Sequence, residues 1–263
     1  MDFWIDENRT FKAGDRDSLP LIHITQKWEN LIYILKEGFK PSYCFEKITN
    51  GLTTKSACFP MLCFSKVSID YAKYSLKSYG TFAIVLDKKW GEKNDLNPVL
   101  YLEEKSDLTN EIISAFDNIA TFSKTDLKNS INGLKTDPKS ILTKNIIKIF
   151  AHSKNYDGVL VRNNEVLSEK YPFGMEREWR KIIRNEETPY FLIKDEIEKR
   201  NEFDNLISNI RVDYCIEDLK SVLVEDVWQV EIVKEIICEK FKLDDYPENN
   251  IKINTLRHIP DEG

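Results

Sequence analysis

The sequence has few of the residues that mark the common nucleotide-binding folds. Its nine glycines are scattered along 263 residues, and no two lie close enough for a Gly-x-Gly-x-x-Gly turn or a Walker phosphate loop. The three histidines, His23, His152 and His258, have no second histidine or cysteine nearby at the spacing of zinc ligands. These absences argue against ATPases, GTPases, Rossmann dehydrogenases and compact zinc sites.

Cysteines and long hydrophobic runs are also scarce. The five cysteines are odd in number and include no Cys-x-x-Cys pair, which indicates free thiols in a reducing compartment rather than a disulfide framework. No segment approaches the roughly 18 consecutive apolar residues that a membrane-spanning helix requires, and we recognise no secretory segment. We therefore expect a soluble, cytoplasmic protein with no membrane partner.

The sequence does contain enough apolar material for a folded core. Hydrophobic residues make up 41% and aromatic residues 11%, so a chain of this length should bury roughly three quarters of its unfolded surface. The 38 Lys and Arg against 44 Asp and Glu give a net charge of -6, which argues against wholesale wrapping of a polyanion. Because no repeat or linker divides the chain, we predict one α+β domain over 19–263, preceded by a polar N-terminal arm over 1–18.

The hydrophobic periodicity predicts strands alternating with helices. We expect Thr25 to cap the first helix and Gly38 to end it. Residues 39–57 are predicted to be a long loop, and residues 105–150 a helical insertion with a polar interruption near 129–139. Strands are predicted at 19–25, 61–65, 81–86, 99–102, 159–161, 176–183, 219–224 and 251–259. Further helices are predicted at 68–77, 191–209 and 227–241.

A pair of carboxylates on the strand predicted at 176–183 is the most informative feature. Glu176, Glu178 and Arg180 should project to one side of that strand, with the carboxylates about 7 Å apart beside a guanidinium. An exposed edge strand with alternating charges would show the same spacing. However, Trp179 and Ile182 indicate that the strand is partly core. A pair of carboxylates on a core strand suggests a functional site.

Polar residues at the ends of the first two predicted strands are further candidates. His23 and Thr25 end the first strand, and Ser65 ends the second. Tyr71 and Tyr79 follow Ser65, where they could pack a helix or form a wall against a flat ring such as nicotinamide. We predict that His23, Ser65 and Glu178 converge on one cleft.

Six segments of the sequence carry a resemblance to a known family. They are Leu-Ile-His-Ile-Thr with the helix after it, Gly38-Phe39, Met-Leu-Cys-Phe-Ser, Tyr79-Gly80, Asn97-Pro98-Val99-Leu100-Tyr101 and Glu-Arg-Glu-Trp-Arg. This set resembles the AbiGi family of bacterial abortive-infection proteins over most of residues 20 to 240. The same order of elements is similar to the ADP-ribosyltransferase superfamily, including DarT-type toxins.

The two resemblances imply different functions. Similarity to the transferases implies a single ADP-ribosyltransferase-like domain with mixed and antiparallel sheets, flanking helices, and NAD as cofactor and substrate. It also implies a toxin of anti-phage defence that transfers ADP-ribose to a nucleic acid or a protein and has a cognate antitoxin as partner. The AbiGi group has carried the label antitoxin, which implies instead a catalytically silent module that binds a partner.

The transferase resemblance assigns catalytic roles to the carboxylates. Cleavage of the nicotinamide bond passes through an oxocarbenium-like ribose that a nearby carboxylate stabilises. The resemblance gives that role to Glu178, and it lets Glu176 orient the acceptor or act as its general base.

The same resemblance assigns the binding of NAD. His23 and Thr25 would bind its adenosine side, and Ser65 would support the strand that carries the glutamate. Tyr71 or Tyr79 would stack on nicotinamide.

Two questions stay open at this point. A magnesium-dependent nuclease using Glu176, Glu178 and a distant aspartate is a third functional hypothesis. The sequence also leaves open whether the acceptor of ADP-ribose is a nucleic acid or a protein. Six lysines cluster in the insertion, where they form either a nucleic-acid surface or a solvated helical face. These are Lys124, Lys128, Lys135, Lys139, Lys144 and Lys148.

Overall fold

A computed structural model describes residues 19–69, 71, 79–120, 138–162, 165–184, 188–193 and 195–255. The described part is a mixed α+β structure with several helices. The strands are β1 (Leu21–Thr25), β2 (Ser42–Thr49), β3 (Thr54–Ser65), β4 (Phe82–Leu86), β5 (Asn97–Pro98), β6 (Leu100–Leu102), β7 (Ser153–Asn155), β8 (Gly158–Arg162), β9 (Glu165–Tyr171), β10 (Glu178–Ile182), β11 (Leu219–Val224) and β12 (Lys252–Thr255). The helices are α1 (Trp28–Glu37), α2 (Lys88–Lys93), α3 (Asp107–Ala120), α4 (Pro138–Ala151), α5 (Asp195–Glu198), α6 (Arg200–Leu206) and α7 (Trp228–Phe241), with 3-10 turns at Phe173–Glu176 and Ile216–Asp218.

Some predicted features lie outside the described residues. These are the N-terminal arm over 1–18, most of the helix predicted over 68–77, the polar interruption near 129–139 up to residue 137, the end of the last strand beyond residue 255, and Lys124, Lys128 and Lys135.

An eight-stranded sheet forms the main body of the described structure. Seven strands follow the order β12-β11-β4-β1-β3-β10-β5, and β2 pairs with β3 beside this path. The pairs are antiparallel except for β11 with β12. Two small sheets, the parallel pair β6-β7 and the antiparallel hairpin β8-β9, lie apart from it. Strand β3 is central because it pairs with β1, β2 and β10.

The prediction of a loop over 39–57 is wrong, because most of this segment forms part of the hairpin β2-β3. Asn50 and Gly51 make the turn, in which the side chain of Asn50 accepts hydrogen bonds from the backbone N–H groups of Leu52 and Thr53. Gly51 has a φ of +84°, which glycine adopts without steric cost. The Asn-Gly pair is a hairpin signal that sequence reasoning could have used.

Helix α1 ends where the sequence predicts but begins differently. Gly38 follows it with a φ of +84°, as a glycine after a helix commonly does. The predicted cap at Thr25 is wrong, since Lys27 occupies the N-cap position without a side-chain bond. The Thr25 hydroxyl instead accepts a hydrogen bond from the side chain of Asn30 at 3.2 Å.

The insertion supplies two helices that cover part of the sheet. Helix α3 lies within the predicted range 105–150, and α4 ends one residue beyond it at Ala151. The two helices meet through Phe116 and Phe150, whose rings stack at 4.1 Å. Phe59 of β3 packs against Phe150 at 6.1 Å. Helices α5 and α6 replace the single helix predicted over 191–209, because Leu192 pairs with Cys58 as a β-bridge. Across the described ranges, no helix combines the length and apolar character needed to cross a bilayer.

The register decides which side chains share a face of the main sheet. Ile22 of β1, Ser65 of β3 and Glu178 of β10 are direct cross-strand partners and point to one face. His23 and Thr25 are one and three residues from Ile22, so they point to the opposite face. That opposite face carries the largest apolar cluster, which includes Phe64 of β3.

Candidate functional site

The segment before β10 does not continue the strand. Residues Phe173–Glu176 form a 3-10 turn, and Arg177 follows in the left-handed region with a φ of +46°. Gly174 lies against the ring of Tyr156, where an added Cβ would approach a ring atom to 2.4 Å. The prediction that Glu176 lies on the strand is therefore wrong. Glu178 begins the strand.

Glu178 and Arg180 do share one face of β10, and they form a two-point ion pair. Arg180 Nε donates to Glu178 Oε1 at 2.8 Å and its Nη2 donates to Oε2 at 3.2 Å. The guanidinium also donates to the carbonyl of Ala151 at 2.8 Å and lies 2.9 Å from the carboxylate of Glu46. Arg180 is fully buried, so its hydrogen bonds to the carboxylates and the carbonyl replace the hydrogen bonds that its guanidinium would make to water.

Lys154 of β7 joins the two carboxylates that the sequence analysis singled out. Its Nζ lies 3.0 Å from Glu176 Oε2 and 3.0 Å from Glu178 Oε2. The same ammonium lies 4.5 Å from the ring centroid of Phe173. Glu176 and Glu178 are 5% and 6% exposed, so Lys154 neutralises them where water scarcely reaches. We call Glu46, Lys154, Glu176, Glu178 and Arg180 the buried ion network.

The charges of the buried ion network almost balance. If every group is ionised, three carboxylates face two cations and one negative charge remains. Burial acts to raise the pKa of Glu178, but Arg180 and Lys154 outweigh burial and hold that pKa well below its usual range. Burial raises the pKa of Glu46 by more than Arg180 lowers it. The network therefore keeps Glu178 charged, whereas the pKa of Glu46 is raised above its ordinary value.

The contact between Arg180 and Glu46 shows that the hairpin curls over the face of Glu178. Arg180 pairs with Cys63 of β3, whereas Glu46 pairs with Ala57 of the same strand. Six residues of straight strand span roughly 20 Å, which an arginine side chain cannot bridge. Strand β3 must bend between these points, and Pro60 lies there. The β2-β3 hairpin thus encloses the network.

Tyrosines surround the carboxylates. The Tyr79 hydroxyl donates to Glu176, and the Tyr171 ring lies 6.4 Å from that of Tyr79. The Tyr101 hydroxyl accepts the backbone N–H of Glu178 at 2.8 Å. Burial raises the pKa values of all three hydroxyls, so they are neutral. Tyr71 packs with the cluster around Ile22, which places both predicted tyrosines, Tyr71 and Tyr79, on the side of Glu178.

The predicted convergence of His23 with Glu178 is wrong. The His23 ring lies 5.3 Å from the rings of both Phe39 and Phe64, and its Nδ1 lies 2.9 Å from the carbonyl of Cys63. Since a carbonyl can only accept, Nδ1 carries the proton. Burial lowers the pKa of His23, which makes it a neutral core residue. Of the expected trio, only Ser65 lies beside Glu178.

Thr25, the other residue expected to bind adenosine, lies on the face of His23. It is buried and held by Asn30. The predicted adenosine side and the predicted catalytic side are therefore separated by the sheet.

Sequence reasoning missed Glu46 and Lys154, which complete the network. Glu46 fell in the segment predicted to be a loop. Lys154 lies on a three-residue strand in the sequence Ala-His-Ser-Lys-Asn-Tyr, which shows no apolar alternation. The Asn50-Gly51 turn was the one available signal, because recognising it would have placed Glu46 on a strand.

The nuclease hypothesis finds no support in the described ranges. A magnesium site needs several oxygen ligands directed at one point. Among residues 19–255 apart from the gaps given above, no three His, Cys, Asp or Glu side chains are grouped so that they could hold a metal ion. The glutamates of the network point instead at Lys154 and Arg180.

Comparisons with known proteins show that the chain is similar to one protein family. A family model described as "Putative abortive phage resistance protein AbiGi, antitoxin" matches residues 37–225. A curated "Abortive phage resistance protein AbiGi" from Lactococcus lactis subsp. cremoris is 26% identical over 231 residues, covering 78% of this chain and 89% of the relative. No solved structure matches. The matched range includes the whole buried ion network and begins after His23 and Thr25.

Proposed function

The chain belongs to the AbiGi family of abortive phage resistance proteins, and we propose that it serves anti-phage defence by binding a cognate toxin protein. In this proposal the buried ion network is part of the scaffold that presents the binding surface. The word antitoxin in the family description supports a protein partner. The chemistry of Glu178 supports a scaffold role.

The proposal rests on the observation that both carboxylate oxygens of Glu178 already accept hydrogen bonds. A carboxylate that stabilises an oxocarbenium ion must face the ribose. Both oxygens of Glu178 are already bonded, one to Arg180 and the other to Arg180 and Lys154. Only 6% of the residue is exposed. A carboxylate in this position holds strands together and has no free oxygen for a substrate.

Reconstitution with a purified partner tests the binding function. The tagged chain is expressed in its own host before and after phage infection, and a co-purifying protein is identified and produced separately. We expect the two purified proteins to form a complex of fixed stoichiometry and the chain to relieve the toxicity of its partner on co-expression. A partner whose toxicity is unchanged by the chain would contradict the proposal, as would NAD consumption by the chain alone.

ADP-ribose transfer is the second candidate, and one observation favours it. Ser65, Tyr71, Tyr79, Glu176 and Glu178 lie on the same side of the sheet. A transferase would use Glu178 against the ribose and Glu176 toward the acceptor, after Lys154 withdraws from both and Arg180 releases an oxygen of Glu178. Without these changes, Glu178 is closed to NAD.

Labelled NAD distinguishes the second candidate from the first. Wild type and Glu178→Gln are incubated with labelled NAD and with RNA, DNA or host protein as acceptor. Transfer that is lost in a folded Glu178→Gln protein would favour the transferase. Absence of both NAD consumption and transfer favours the binding protein. Lys139, Lys144 and Lys148 on α4 are the described lysines of the predicted cluster, and their replacement by Glu would test a nucleic-acid acceptor.

A further inference from the structure

Helix α4 is apolar on its outer side as well as on its inner side. Its inner side includes Ile147 and Phe150, which are fully buried. On its outer side, Ile141, Leu142 and Ile149 are 50%, 60% and 47% exposed. A surface helix normally exposes polar residues, and a helix that is apolar all round is normally covered on all sides. The outer side of α4 therefore has the character of a surface that another molecule covers.

Helix α3, which packs against α4, shows the ordinary pattern. It buries Ile112, Ile113 and Phe116. Its exposed positions are polar or charged except for Leu108. The exposed aliphatic residues of α4 are thus a property of that helix and not of the whole insertion.

The exposed aliphatic residues lie together along α4. Leu142 and Ile149 are seven residues apart, which is almost two helical turns and places them on one side of the helix about 10 Å apart. Ile141 precedes Leu142 and borders the same side. Asn145, which is also exposed, lies between them. We call Ile141, Leu142 and Ile149 the α4 stripe.

Positive charge borders the α4 stripe on both sides. At about 100° of rotation per residue, Lys144 and Lys148 lie along one flank of the stripe and Lys139 lies on the other. The helix contains no Asp or Glu, although the chain as a whole has a net charge of -6. A surface complementary to this one would combine apolar side chains with carboxylates.

We propose that the α4 stripe is the docking site for an acidic, amphipathic segment of the cognate toxin. The apolar side chains of that segment cover Ile141, Leu142 and Ile149, and its carboxylates lie against the flanking lysines. This inference rests on the proposed function, because it names the surface through which the chain binds its protein partner.

Other occupants match the α4 stripe less closely. Two copies of the chain joined through their stripes would bring lysines against lysines, which repel each other. Surfaces for single-stranded nucleic acid combine cations with aromatic side chains on which bases stack, and the exposed side of α4 has no aromatic residue. An anionic membrane would attract the lysines, but three aliphatic side chains offer little area to insert. An acidic protein segment uses both the apolar and the charged parts.

Site-specific photo-cross-linking identifies the occupant. The photoreactive residue p-benzoylphenylalanine replaces Leu142 in the tagged chain, which is expressed in its own host and irradiated before and after phage infection. Mass spectrometry should find a linked segment of the cognate toxin in which Asp or Glu residues flank apolar ones. The same replacement at Leu206, which is 56% exposed on α6, is the matched control and should give no such product.

Several products would overturn the inference. These are a cross-link within the chain itself, between two copies of it, to nucleic acid or lipid, or to a basic segment of the partner. The absence of any product specific to position 142 would overturn it as well.

Binding measurements with the purified toxin then test the contribution of the α4 stripe. Replacing Ile141 and Leu142 together by Ser should weaken binding at least about tenfold. Lys144→Glu should weaken binding more at low salt than at high salt, because salt screens the charges that meet there. Leu206→Ser should change the affinity by less than about twofold. Circular dichroism confirms that each variant is folded, as expected for exposed positions.

The outcomes separate this inference from the proposed function. Equal affinity of the wild type and the folded Ile141→Ser, Leu142→Ser variant would overturn the inference and leave the proposed function intact. Binding that depends on the stripe, without relief of toxicity, would do the reverse. If the wild type binds no protein partner, both are wrong.

Discussion

Strands β3 and β10 have an apolar face and a charged face. Phe64 and Trp179 lie on the first face in an apolar cluster, whereas their chain neighbours Ser65 and Glu178 lie on the other face and border a charged network. The first face is stabilised by removing apolar surface from water, which needs no particular direction. The second requires each charge to meet a partner at the right angle and distance. A hydrophobic pattern in the sequence therefore indicates the first face and says little about the second.

Removing Arg180 should cause the largest loss of stability. Arg180→Met removes the cation that pairs with Glu46 and leaves Glu178 with Lys154 alone, and breaking a buried ion pair costs about 3–5 kcal/mol. Urea unfolding followed by circular dichroism measures the change. Lys220→Met is the matched control, because its ion pair with Asp87 is partly exposed and should contribute no more than about 1 kcal/mol. Equal losses in the two variants would refute the contrast between buried and exposed pairs.

Truncation on the apolar face should cost nearly as much for a different reason. Phe64 lies 5.1 Å from the rings of Phe39 and Trp90, so Phe64→Ala opens a cavity and should lower stability by about 3–4 kcal/mol. Phe64→Leu fills most of that volume and should recover more than half of the loss. If Leu recovers nothing, packing volume does not explain this face.

Neutralising Glu178 should have an intermediate, pH-dependent effect. Glu178→Gln leaves Lys154 and Arg180 with fewer acceptors and should cost about 2 kcal/mol near neutral pH. The pKa of Glu178 is lower in the folded than in the unfolded chain, so its stabilisation is full above about pH 4.5 and is lost as the pH falls toward the folded value. The difference between wild type and variant should therefore shrink below pH 4.5. A difference that grows with acid would contradict this sign.

The smallest effect is expected at His23, the titrating group of the apolar face. Its pKa is lower in the folded chain, so the unfolded chain binds more protons and stability falls as the pH drops below about 6.5. Between pH 7.5 and 5.5 wild type should lose about 1 kcal/mol through this residue. His23→Leu should remove the contribution of His23 to the dependence of stability on pH. The contribution of His152, whose pKa is also lowered, should remain. An unchanged slope would show that the pKa of His23 is the same in the folded and the unfolded chain.

Local periodicity predicted much of the fold. Strands β4 and β11 and helix α7 lie within one or two residues of the predicted ranges. The shared face of Glu178 and Arg180 followed from the alternation of a strand. These features depend only on neighbours along the chain, which is why the sequence was sufficient.

The error that separated the predicted site residues, and the omission of Lys154, concern contacts between distant segments. Alternation correctly placed His23 and Thr25 on one face, but whether that face also holds Glu178 depends on the register through Ile22 and Ser65. No local pattern determines that register. Likewise, Lys154 meets Glu178 only because a three-residue strand lies beside the 3-10 turn, and nothing in its own neighbourhood in the sequence indicates the contact.

A double-mutant cycle between Glu178 and Arg180 tests the central claim most directly, namely that Glu178 holds the fold and does not transfer ADP-ribose. The free energy of unfolding is measured for wild type, Glu178→Gln, Arg180→Met and the double variant, with NAD consumption assayed in each. We predict a favourable coupling above about 1 kcal/mol and no NAD consumption in any of the four proteins. Coupling near zero, with full stability but lost NAD consumption in Glu178→Gln, would contradict the account.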